Sequence, residues 1–132
     1  MRGVMRPVCA LLLLTACDRE WLTDVGDLLP GEGLPVLEAP AVVRAEESFT
    51  VTVTTYGSSN CTRALSLTVI VDDLRATLIP YDSRVSAGGP CTSDLAAFPR
   101  TGRVTFARPG QGTLVVRGAG TYRVEFPVLV RE

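Results

Sequence analysis

With 132 residues, of which 46% are hydrophobic and 20% charged, the chain has the size and composition of one globular domain rather than of a disordered segment. Its 13 basic residues are all arginine and it has no histidine, which removes Ser-His and Cys-His nucleophiles, histidine metal ligands, Schiff-base lysines and the phosphate lysine of P-loops. At a formal net charge of −1, no concentrated positive surface for nucleic acid is expected.

At the amino end, Arg2 and Arg6 precede an apolar run from Val8 to Leu14, the order of a charged region and hydrophobic core in a secretory signal. A permanent membrane helix takes about 20 apolar residues, and this run is far shorter. The residues that follow, Leu14-Thr15-Ala16-Cys17, resemble the lipobox of bacterial lipoproteins. That resemblance implies that residues 1–16 are a cleaved signal and that Cys17 carries diacylglycerol, with its new amine usually acylated as well. Membrane lipid held through Cys17 is then a partner, and the location is the bacterial cell envelope, facing the periplasm or exterior. Asp18 resembles the signal that retains some enterobacterial lipoproteins in the inner membrane. An ordinary signal or a buried helix in which Cys17 is incidental is the alternative. Without Arg2 and Arg6, 11 arginines face 14 acidic residues, a formal charge of −3.

Residues 17–35 read as a lipidated cysteine followed by a flexible tether, because the segment is acidic and then rich in turn formers at Leu29-Pro30-Gly31-Glu32-Gly33-Leu34-Pro35. A short helix over Trp21 to Leu29, capped by Thr23 or Asp24, is a further option. Trp21 and Leu22 lie close enough to the lipid site for the indole to rest in the membrane interface, with packing against the domain as the other outcome.

From residue 36 to 132 the dominant pattern is period two. Phe49, Val51 and Val53 alternate with threonines; Leu65, Leu67, Val69 and Val71 form a second series; Tyr122, Val124, Phe126, Val128 and Val130 form the longest. Side chains along a strand point alternately to opposite faces, so each run predicts a half-buried strand. Shorter runs at Val42 to Arg44, Thr77 to Tyr81, Arg103 to Arg108 and Thr113 to Arg117 bring the count to about seven. Asp72-Asp73, Glu46-Glu47 and Gly118-Ala119-Gly120 read as turns, and Pro127 marks the last strand as an edge or a bulge. The expected fold is all-β: a single antiparallel β-sandwich over residues 36–132, which by this pattern resembles the immunoglobulin-like domains of bacterial surface proteins. The only tryptophan, Trp21, falls outside that domain, a departure from the immunoglobulin pattern.

Of the four cysteines, Cys9 leaves with the signal and Cys17 takes lipid, so Cys61 and Cys91 remain as an even pair in an oxidising compartment and are expected to form a disulfide. Both sit in turn-rich stretches, which places the bridge between two loops at one end of the sandwich. Loops on a rigid scaffold commonly carry recognition, and the candidate binding residues there are Asn60, Thr62, Arg63, Asp82, Arg84 and Asp94. Solvated turn residues are the competing reading of each. Adjacent carboxylates at Asp72-Asp73 and Glu46-Glu47 match neither a calcium loop nor a glycosidase pair.

The function expected from these features is a non-enzymatic envelope lipoprotein that binds or supports another envelope protein. No cofactor, metal or catalytic residue is assigned. The alternatives are a small carboxylate-dependent hydrolase and a periplasmic inhibitor or assembly factor.

Overall fold

The alternation of β-branched and aromatic residues from Phe49 onward forms β4 (Phe49–Gly57) in the computed structural model, which describes residues 19–87 and 90–132. The expected signal sequence, lipobox and Cys17 lie outside the described residues. Along β4, Phe49, Val51, Val53 and Thr55 are buried, while Thr50, Thr52 and Thr54 are exposed or half-buried, as the two faces of one strand require.

Strand β4 is the middle of a three-stranded antiparallel sheet between β2 (Leu37–Glu38) and β7 (Ala96–Val104). A six-stranded sheet links β1 (Glu20–Val25), β6 (Arg75–Ala87), β8 (Gly110–Arg117), β9 (Arg123–Arg131) and β3 (Val42–Arg44), each hydrogen-bonded to the next. Its sixth strand, β5 (Thr62–Asp72), pairs with the opposite edge of β6. The chain is therefore all-β as expected; among the described residues the one helical turn is a 3-10 turn at Pro30–Glu32.

The larger sheet is mixed, which corrects the expectation of a purely antiparallel fold. Strands β6 and β8 run parallel from Arg75↔Thr113 to Leu78↔Val116, and β3 runs parallel to β9. Period two reports which face of a strand is buried and carries no information about the direction of its neighbour. One edge of β6 is shared: β8 takes Arg75 to Leu78, and β1 takes Tyr81 to Ala87. That sharing explains why β6 extends well past the Thr77 to Tyr81 run visible in the sequence.

The segment expected to be a tether is part of the fold, and it forms a strand rather than a helix. Strand β1 pairs antiparallel with β6, Asp27 bridges to Tyr56, and Leu28 is 0% exposed. Gly26 makes the route possible, because a Cβ there would lie 2.6 Å from Asp82 Oδ2 and closer still to Thr55 Cγ2. The Arg103 to Arg108 run is corrected too: the strand is β7, which ends at Val104, and Phe106 is buried beyond it. Pro99 stands inside β7, which is a sheet edge, where a missing amide donor costs little.

The turns fall where they were expected. Asp73 and Leu74 close the β5–β6 hairpin, with Asp72 opposite Arg75 and Asp73 at φ 56°. Pro127 pairs with Thr113 on one side of β9, while β3 begins on the other side only at Leu129, so the proline occupies a local edge. A core cluster draws on both sheets, among them Val51, Val53, Val104, Leu78, Leu114, Val116 and Val128, and includes the Phe49 and Phe106 rings, 5.9 Å apart.

Candidate functional site

Five strands terminate together at one end of the molecule: the starts of β1, β5 and β7 and the ends of β4 and β6. There Cys61, just before β5, and Cys91, in the loop before β7, bring their sulfurs to 2.09 Å, the bond expected from the sequence. Cys61 itself is buried. The two loops are also joined by polar contacts. Asn60 Oδ1 accepts hydrogen bonds from the Thr92 amide and the Ser58 hydroxyl, each at 2.8 Å, with the Thr92 hydroxyl oxygen 3.0 Å away, while its Nδ2 donates to the Pro90 carbonyl at 3.3 Å. Asp94 accepts from the Thr92 hydroxyl and, at 3.3 Å, from the Ser59 amide. The Thr92 hydroxyl, followed by donors from Ser59, holds the Asp94 carboxyl below its ordinary value of 3.8.

Arg19, the first described residue, closes this network. Its guanidinium donates to the Asn60 carbonyl at 2.5 Å and the Pro90 carbonyl at 3.4 Å and lies 3.6 Å from Cys61 Sγ. Next to it on the outer face of the larger sheet, the Arg63 guanidinium sits 3.6 Å above the Trp21 ring, a cation–π contact that spans β6. Leu22 and Leu95, at 59% and 55% exposure, are the large apolar side chains displayed at this end.

The six candidate binding residues therefore separate. Asn60 and Asp94 brace one loop against the other, Arg63 stacks on Trp21, and Thr62 is buried at the start of β5. Asp82 and Arg84 are not loop residues: both belong to β6 and face the interior. Asp82, 0% exposed, meets Arg100 of β7 across the gap between the sheets, with Oδ1 2.8 Å from Arg100 Nη1. Arg100 also donates to the carbonyls of Tyr81 and Phe98, at 2.5 Å and 2.7 Å, and to the Thr55 hydroxyl. Neither Asp82 oxygen receives an aligned hydrogen bond, so this pair resembles other buried ion pairs in which desolvation offsets much of the attraction.

Arg84 differs from Arg100. It lines a depression of about 310 Å³ beside the disulfide, together with Asp27, Tyr56, Thr62, Cys91 and Leu95. Its Nε and Nη2 are buried without a hydrogen-bond partner. The same two nitrogens of Arg108 grip Asp73 at 2.7 Å each in an exposed bidentate pair, which shows what the Arg84 edge would offer a carboxylate.

Arg19, Ser58, Thr92 and Arg100 were not among the residues singled out from the sequence, and Trp21 was read there only for the membrane interface or for packing against the domain. Arg19 and Trp21 fall in the stretch read as a tether, and Arg100 occupies an inward position where the β pattern calls for an apolar residue. Among the described residues, no group of three or more His, Cys, Asp or Glu is gathered for a metal, and no helix is long and apolar enough to cross a membrane. Compared with protein-family models, curated proteins and solved structures, the chain matches none.

Proposed function

We propose that the chain is a lipid-anchored protein of the bacterial envelope whose β domain acts without catalysis, binding or supporting another envelope protein. The sequence Leu14-Thr15-Ala16-Cys17 supports the anchor, and the disulfide suits an exported domain. An immunoglobulin-like sandwich, with two mixed-direction pairings as departures, is the fold reading that goes with it.

The observation that carries the binding role is the edge presented by β5. Among the described residues this strand takes ladder hydrogen bonds from β6 alone; Gly102 of β7 packs against its Leu67 and Val69 side chains without pairing, and beyond the irregular stretch between Ala64 and Leu67 the strand offers a regular segment to Asp72. Ile70 and Val71 are 52% and 40% exposed on that segment. An unpaired edge with apolar side chains on both faces is a template for an added strand, in which main-chain hydrogen bonds give affinity and side-chain pockets give selectivity. The expected partner is an extended segment of an envelope protein.

The test places a photo-reactive residue at Ile70 in intact cells, with the same residue at Glu125 as a control on a different strand. One dominant adduct from Ile70 alone supports the reading. A scatter of neighbours, equal at both positions, overturns it.

A further inference from the structure

We infer that the disulfide-stapled end lies against the membrane surface, held there by the lipid on Cys17, so that the domain cannot swing free. The inference rests on the lipidation proposed above and adds an orientation to it. Arg19 is fixed by its hydrogen bonds to the Asn60 and Pro90 carbonyls. Cys17 is two residues away, and two residues of fully extended chain reach only about 7 Å. An acylated Cys17 therefore has no length of chain with which to carry its lipid away from the loop end.

The chemistry displayed there suits a bilayer surface. Leu22 and Leu95 are exposed apolar side chains of that end, and the half-buried Trp21 carries its indole at the same end on the face of β1 opposite Leu22, so that apolar groups stand on both sides of the strand start. Arg19 and Arg63 stand beside them, cations that complement anionic headgroups. Aromatic rings at the water–lipid boundary with adjacent basic residues are the usual composition of an interfacial contact. Most polar side chains in the two loops are already engaged with one another, which leaves few free to recognise a protein. Apposition also leaves the Asp73 hairpin and the Pro40–Phe49 depression, at the opposite end of the strands, pointing away from the bilayer.

Trp21 is the only tryptophan of the chain, so the native protein carries its own probe. Full-length precursor is expressed in a bacterial host, extracted from membranes, weighed by mass spectrometry to establish the lipid on Cys17, and reconstituted into phosphatidylethanolamine–phosphatidylglycerol vesicles with or without brominated chains. Apposition predicts that brominated lipid removes about half of the Trp21 emission, as expected of a ring seated at the acyl boundary. A flexible insertion of about 15 residues between Asp18 and Arg19 restores most of that emission, because such a coil reaches about 20 Å or more. Leu95→Asp, at an exposed site where folding does not depend on the side chain, weakens the quenching while the lipid mass is unchanged. A lipidated protein whose Trp21 is not quenched, or is quenched equally with the insertion, overturns the apposition and leaves the lipoprotein reading standing. A protein that carries no lipid overturns the lipoprotein reading and the inference with it.

Discussion

Arg84 and Arg100 project toward the same interior from different strands and are held in opposite ways. Arg100 is 7% exposed, gives its protons to two carbonyls and a hydroxyl, and stands as the counter-charge of the Asp82 carboxylate. Removing it leaves a buried carboxylate alone, and breaking such pairs costs about 3–5 kcal/mol. Arg100→Met is therefore expected to lower the unfolding free energy by that order in denaturant titration, and Asp82→Leu in the same chain to recover most of the loss. Arg84→Met removes two donors that are buried without partners, so stability should stay level or rise by up to about 1 kcal/mol. An equal loss in the two variants contradicts the distinction. None of this was legible beforehand: Arg100 precedes the Arg103 to Arg108 run read as a strand, and only the register places it opposite Val53 on the buried face. Asn60 and Asp94 were legible as polar loop residues, but that each also accepts from an amide of the other loop depends on a contact between positions more than 30 residues apart.

At the scale of the element, what the sequence shows well is alternation. The runs at Phe49, Leu67 and Val124 became β4, β5 and β9, and the turns at Asp73 and Gly118 follow from residue types that tolerate or terminate. What it hides is any strand whose burial comes from a neighbour. Strand β1 is short and largely exposed, and its place is set by β6; the downstream anchor is Leu28, isolated among turn formers. Leu28→Ala is expected to cost about 2–5 kcal/mol, the range for a buried leucine, whereas a residue in a free tether would cost nothing measurable. Thermal or urea unfolding of the domain from Arg19 onward distinguishes the two. The disulfide is the other tie at this level. It closes a loop of 30 residues, and loss of both cysteines as serines should remove about 3–4 kcal/mol in the chain-entropy account. Because the side chains of Asn60, Thr92 and Asp94 still join the loops, the double serine variant should fold and report that loss as a lower urea midpoint with an unchanged slope.

The whole molecule has an unusual titration because of what its composition omits. With no histidine, no imidazole gains or loses a proton between pH 5 and 8, so stability should be nearly level across that interval. The acid side is governed by carboxyls held below their ordinary value in the fold. Asp73 is one, lowered first by its hydrogen bond to Arg108, and Asp94 is another, lowered first by Thr92. A carboxyl whose folded value is depressed contributes stability that is fully present above its unfolded value of 3.8 and is lost as the pH falls through the folded value. The urea midpoint is therefore expected to hold steady from pH 8 to 5 and to decline below about pH 4. Asp73 lies at the far hairpin and Asp94 in the stapled loops, so Asp73→Asn and Asp94→Asn should each flatten part of the acid decline, and their effects should add because the two sites share no partner. A midpoint that already falls between pH 7 and 5 would mean that a group outside these two pairs sets the acid limit.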